Sequence, residues 1–191
     1  METQITDKEL IERIVNRDSK ALEVLYDKYS PLLYTLIKKI LGDKEKAEQA
    51  LADIFVIIWQ KSDLYDFNTQ NFYTWLILLS RNKALDLLKR ENGLIAEEYD
   101  DDYENKFIIP QISPEIEPID LDEAYDKIGK INSAISNLTE AQQFVLSLAY
   151  YQGLTEKEIA EKLNIPLPTV KTKLRVVLNS IQEHVIKEDN Q

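Results

Sequence analysis

The sequence predicts an all-α protein: two small helical domains joined by an extended acidic linker, the second a helix-turn-helix. Three observations carry that expectation. Apolar residues recur at three- and four-residue intervals through 7–91 and 124–185, the period of a helix rather than of a strand. The chain has four glycines in 191 residues, too few for a turn-rich β fold. Its formal charge of −11 is also concentrated in one place. Residues 1–91 carry 14 basic and 15 acidic side chains and residues 124–191 carry 8 of each, whereas 92–123 carry 11 acidic ones and Lys106 alone.

The first domain, 1–91, opens with Thr6-x-x-Glu9, the capping box that satisfies orphan amides at a helix start. Leu10, Ile11, Ile14 and Val15 follow on one side. Ser19 is the expected cap of the next helix, with Leu22, Leu25, Tyr26 and Tyr29 apolar, and Pro31 is expected to bend or restart it. Leu32, Leu33, Leu36, Ile37 and Ile40 continue to Gly42, a good C-terminal stop. Asp43 opens a helix to about Lys61. A polar loop, 62–71, leads into a helix from about Phe72 to Arg90 that is apolar on several sides, as the centre of a bundle would be. Trp59 and Trp75 read as core.

The segment 92–123 contains Glu97-Glu98-Tyr99-Asp100-Asp101-Asp102 and prolines 110, 114 and 118. Such composition buries too little apolar surface to offset its ordering entropy, which predicts an extended linker. Stretched, its 32 residues reach about 105–115 Å. Phe107-Ile108-Ile109 is too short to count as a strand.

The second domain, 124–191, resumes as helices. Asp120 or Asp122 starts one through Tyr125, Ile128, Ile131 and Ile135, and Thr139 another through Phe144, Val145, Leu148 and Ala149. Residues 154–181 are the most telling. Thr155-x-x-Glu158 is a second capping box, Asn164 suits a left-handed turn, and Pro166 and Pro168 suit the entry of a further helix. On that helix Val170, Leu174, Val177, Leu178, Ile181 and Val185 form one apolar stripe. The opposite face carries Thr169, Thr172, Val176 and Asn179, flanked by Lys171, Lys173 and Arg175. A helix-turn-helix of this build presents its second helix to a DNA major groove.

Composition narrows the alternatives. The chain has no cysteine, so neither a thiol nucleophile nor a cysteine-ligated zinc is available. The single His184 reads as a solvated helix-end side chain. No glycine-rich phosphate loop or H-E-x-x-H occurs, so no enzyme, cofactor or metal site is expected. The polar N-terminus and the lack of a long apolar run predict a cytoplasmic protein without membrane insertion.

Two stretches of the first domain, AEQALADIFVIIWQ (47–60) and FYTWLILLSRNKALDLLKRE (72–91), together with the helix-turn-helix, resemble an RNA polymerase sigma factor of the extracytoplasmic-function group, in the sigma-70 family. Asp53-Ile54-Phe55, Trp59, Trp75-Leu76, Arg81-Asn82, Asp86 and Lys89-Arg90 sit at the family's spacing, as do Glu158-Ile159-Ala160 and Thr169-Val170-Lys171. The resemblance covers about 7–91 and 124–185. It implies a non-enzymatic protein that binds core RNA polymerase and directs promoter-specific transcription initiation. The first domain would be region 2-like, binding polymerase and melting the −10 element; the second would be region 4-like, binding the −35 element as duplex. Core RNA polymerase, promoter DNA and an anti-sigma factor are the implied partners. Two rivals are a helix-turn-helix regulator with an α/β receiver half and a degenerate sigma-like protein acting mainly through protein partners.

Site residues follow from the same match. Glu48, Gln49 and Asp53 would dock on polymerase, although Gln49 and Ala52 stand where the family commonly has an acidic residue and a glutamine. Tyr65, Asp66, Phe67 and Asn68 would form a pocket for unstacked bases, because melted DNA is held by aromatic faces and polar edges. Arg81, Asn82, Lys83, Lys89 and Arg90 would contact backbone and bases of the downstream element. On the recognition helix, Lys171, Lys173 and Arg175 would neutralise phosphates, while Thr169, Thr172 and Asn179 reach base edges. Pro168, Val176 and Leu178 depart from the family, which often has a glycine and two arginines there. Leu178 belongs to the apolar stripe and Val176 points toward DNA, to a thymine methyl or a protein surface. The acidic linker would serve as a solvated spacer or thread a basic polymerase channel.

Overall fold

The computed structural model describes residues 5–65, 71–111 and 121–188, with side chains in the last stretch covering 124–183. The chain divides by contact into two units, Met1–Asp120 and Leu121–Gln191. No strand occurs among the described residues, so a receiver-type first half is ruled out for them.

The first unit packs α1 (Asp7–Val15), α2 (Ser19–Leu41), α3 (Lys44–Lys61) and α4 (Phe72–Glu91). The Thr6–Glu9 capping box forms as expected, and Gly42 closes α2 in the left-handed conformation at φ 71°. Asp18, not Ser19, caps α2; its carboxylate accepts from the Lys20 amide, a stronger acceptor one residue earlier. Pro31 neither ends nor restarts α2. The stripe Leu25, Tyr29, Leu33, Ile37 and Ile40 runs unbroken through it, and burying that stripe outweighs one missing backbone bond. Asp43 and Asn71 cap α3 and α4 through their side chains. Helix α4 packs against both α2 and α3, with Trp75, Leu76 and Leu79 wholly buried, which makes it the central helix. Trp59 is only half-buried, with the Arg17 guanidinium 5.5 Å from its ring centroid.

The expectation of an extended linker over 92–123 fails in its first half. Asp100 caps a short helical turn, α5 (Asp101–Tyr103), which runs into a π turn, Glu104–Ile108. Tyr103 and Ile108 are buried against the first unit. Net acidity masked an aromatic series at helical spacing: Tyr99, Tyr103 and Phe107 pack in turn with their rings tilted, centroids 5.7 and 4.8 Å apart.

The second unit contains α6 (Leu121–Ser136), α7 (Glu140–Tyr150), α8 (Glu156–Leu163) and α9 (Leu167–Glu188). Capping boxes form at Thr139–Gln142 and Thr155–Glu158. Asn164 ends α8 at φ 49°, and the Ile165 amide donates to the Ala160 carbonyl at 3.0 Å, fixing the turn into α9. Val145, Leu148, Ile159, Ala160 and Val170 form the core, with Leu174 packed on it. Leu178 is not core: it is 60% exposed. At about 100° per residue it lies roughly 80° round the helix from Val170, at the edge of a stripe too narrow to include it. Tyr125, Ile128 and Phe144 are likewise exposed.

Candidate nucleic-acid interface

The α8–α9 turn sets the angle at which α9 leaves the domain, and burial of Val170 and Val177 fixes which side faces out. That outer side carries Thr169, Lys171, Thr172, Arg175 and Asn179, all exposed, with Val176 43% exposed among them. Lys171 lies 3.8 Å from Glu156, an exposed pair that DNA phosphate can displace at little cost. Lys173 is half-buried and stands off this face, about 60° round the helix from Val170. The surface offers two long cations, two hydroxyls, one amide and one methyl-bearing side chain. Those groups suit phosphate contact and base-edge reading.

On the first unit, Glu48, Gln49 and Asp53 follow one another along α3. The Gln49 amide donates to Asp53 at 3.0 Å, and Glu48 lies 3.6 Å from Lys44. Gln49 and Asp53 line an open cleft of about 400 Å³ with Leu41, Lys46, Leu87 and Glu91, and Lys46 pairs with Glu91 across it. Its lining joins two leucines, Leu41 and Leu87, to the carboxylates of Asp53 and Glu91 and the ammonium of Lys46.

Of the expected base pocket, Asp66, Phe67 and Asn68 lie outside the described residues. Tyr65 is packed into the first unit rather than exposed. It is 7% exposed, its ring edge-on to Phe72 and Trp75 with centroids 5.4 Å from each.

The polar side of α4 is covered by residues 97–109. Lys83 is 6% exposed, its ammonium 3.5 Å from Asp53 and 4.1 Å from the Tyr99 ring centroid. Asn82 donates its side-chain amide to the Ile108 carbonyl at 3.1 Å. Arg90 bonds Asp86 at 2.9 Å and the Glu97 carbonyl at 2.5 Å, with its guanidinium 4.5 Å from the Tyr103 ring centroid. The Tyr103 hydroxyl donates to Asp86 at 2.6 Å and that of Tyr99 to Glu104 at 2.7 Å. At the end of α3, Lys61 meets Glu104 at 2.6 Å, Asp101 at 3.2 Å and Asn105 at 3.1 Å. Arg81 and Lys89 on α4 are half-buried.

These contacts move protonation equilibria. Burial, then the hydrogen bond to Glu104, pushes the Tyr99 hydroxyl far above the ordinary tyrosine value. Burial and the bond to Asp86 raise Tyr103. Burial alone would depress Lys61, but Glu104 and Asp101 more than offset it and hold the ammonium above its usual value. Arg90 is raised against burial by Asp86. Sequence reasoning missed Lys61, Tyr99, Tyr103 and Glu104. The four-residue aromatic spacing was the one available signal.

Two helical units, the second carrying an exposed helix-turn-helix, define a DNA-reading helical protein. The family profile for Sigma-70 region 2 matches residues 25–93, and that for Sigma-70, region 4 matches 128–176. The chain is 26% identical over 170 residues to the ECF RNA polymerase sigma factor RpoE of Cereibacter sphaeroides, covering 89% of each. It is 25% identical over 174 residues to the ECF sigma factor SigK of Mycolicibacterium vanbaalenii, covering 91% of this chain and 86% of that one. A solved structure, Rhodobacter sphaeroides SigE in complex with the anti-sigma ChrR, aligns with a TM-score of 0.45 and 26% identity over 92% of this chain and 95% of the other. The chain belongs to the sigma-70 family, as a sigma factor of the extracytoplasmic-function group that directs transcription initiation.

Proposed function

We propose that this sigma factor divides promoter recognition between its two units, with the α3 face as the anchor on polymerase. Glu48, Gln49 and Asp53 meet basic side chains of core RNA polymerase, and the adjoining cleft takes the stem of one of them. The 66–70 loop and the polar side of α4 hold the opened −10 strand. Helix α9 enters the major groove of the −35 element, with Lys171 and Arg175 on phosphates and Thr169, Thr172 and Asn179 at base edges. The protein acts as a specificity subunit in the cytoplasm, without chemistry of its own. An anti-sigma partner belongs to the same reading on family grounds. Among the described residues no helix is long and apolar enough to cross a membrane.

The observation that carries this reading is the occurrence of both sigma-70 regions in one chain, in order. The test is reconstitution of the full chain with core polymerase, followed by mapping of the transcripts it starts. Initiation downstream of a shared two-element motif is expected, with Asp53→Lys abolishing it by loss of core binding. Failure to bind core polymerase would overturn the reading.

A further inference from the structure

The cover over α4 has the wrong chemistry for a permanent core. Beneath it lie Asn82, Lys83, Asp86 and Arg90, and Lys61 sits at its margin. From the covering side Tyr103, Ile108 and Pro110 are the buried apolar residues, while Tyr99 and Phe107 stay exposed. One guanidinium nitrogen of Arg90, Nη2, is buried with no hydrogen-bond acceptor. A buried donor left unsatisfied is disfavoured, so closure holds this cation without completing its bonds.

What covers these groups is informative. Glu104 and Asp101 place carboxylates on Lys61, and the Tyr99 and Tyr103 rings lie over Lys83 and Arg90. Anionic oxygens on cations, with flat rings stacked on the neighbouring cations, are also how a single nucleic-acid strand is held. Six carboxylates fall within residues 97–104, so the segment carries charge at a density comparable to a strand's.

We propose that residues 97–109 form an intramolecular mimic of the −10 strand, closed over the promoter-reading side of α4 in the free chain and displaced when melted DNA is bound. The inference rests on the proposed role of α4 in holding that strand. Closure makes the downstream face inaccessible to stray single strands until polymerase or promoter opening shifts the balance. Each closed molecule must open before it binds, so the apparent dissociation constant rises by the inverse of the open fraction.

The natural chain has no cysteine, which makes a reversible-versus-locked comparison clean. In the full-length Lys61→Cys/Asn105→Cys variant, a short bismaleimide joins the α3 end to the segment. The probe is single-stranded DNA of randomised sequence, read by fluorescence anisotropy with the free chain and with its holoenzyme. The bridged chain should bind at least about tenfold more weakly than the same variant unbridged. Tyr103→Ala/Glu104→Ala should bind about tenfold more tightly than the natural chain, as release of a segment closed about nine-tenths of the time requires. Equal binding by bridged and unbridged chains overturns the proposal, and does so even where the release variant fails to fold. Arg81→Ala/Lys89→Ala separates the two ideas. If it weakens DNA binding while bridging does not, only the closure is wrong. If neither changes binding, the role of α4 in holding the strand falls as well, and the closure with it.

Discussion

Asn164 sits at φ 49° and ψ 48°, a left-handed conformation that L-residues adopt at a cost of roughly 1–2 kcal/mol. Asparagine tolerates it and glycine is free of it, whereas a β-branched side chain is not. Asn164→Gly should leave stability within about 0.5 kcal/mol, and Asn164→Val should lower it by about 1–2 kcal/mol. Urea unfolding of the second unit by circular dichroism measures both; equal effects would mean the turn is not what fixes α9. This residue was legible because its information is local: a capping box, a periodic run and an asparagine within ten positions. Leu178 was not, because periodicity places a residue on a side of a helix without saying how wide the buried stripe is. Val176 is a finer case. Its methyls stand on the exposed side of α9, and contact with a thymine methyl is worth a binding difference that follows the base. Val176→Ala should weaken binding to a thymine-bearing −35 element more than to the same element with thymine replaced. Equal loss on both would assign Val176 to a protein contact.

At the scale of elements, α2 and the 97–109 segment departed from expectation for opposite reasons. Proline signals a break because it removes one donor and crowds the preceding turn. In α2 the apolar stripe on both sides of Pro31 is long enough to carry the helix through. Restoring the donor with Pro31→Ala should stabilise the first unit by about 2 kcal/mol, roughly 3 from helix propensity less about 1 for the freer unfolded chain. Urea unfolding followed by tryptophan fluorescence reads it, since both tryptophans lie in that unit. The 97–109 segment looked disordered because its acidity was counted without the cations it meets, which lie on α3 and α4 and are invisible to a local window. Its closure is linked to protons. Tyr99, Tyr103 and Lys61 all hold theirs more tightly when closed, facing Asp53, Lys83, Asp86, Arg90, Asp101 and Glu104. Closure is therefore fully stabilised below the ordinary tyrosine and lysine values, near pH 10, and weakens as pH rises through the raised ones. Spectroscopic titration of the natural chain against Tyr99→Phe/Tyr103→Phe should show the two missing phenols ionising above the ordinary tyrosine value. Ionisation of these two at the ordinary value would count against closure.

Over the whole molecule, the sequence located two helical units and the acidic stretch between them, and misplaced one border. Composition changes at residue 92, but the first unit extends past Ile108, because a domain ends where its contacts end and not where its charge changes. The two borders predict different fragments. Residues 1–94 keep all four main helices and both tryptophans; residues 1–111 add the covering segment. A segment closed about nine-tenths of the time corresponds to about 1.3 kcal/mol in favour of the longer fragment. That margin is small enough for a competing strand of DNA to reverse and large enough to resolve by urea unfolding at fixed ionic strength. The same margin should shrink in 1–111 carrying Glu104→Ala, which leaves Lys61 with Asp101 and Asn105 and removes the acceptor of the Tyr99 hydroxyl. Fragments of equal stability would place residues 95–111 outside the folded unit and return the acidic stretch to the role of a spacer.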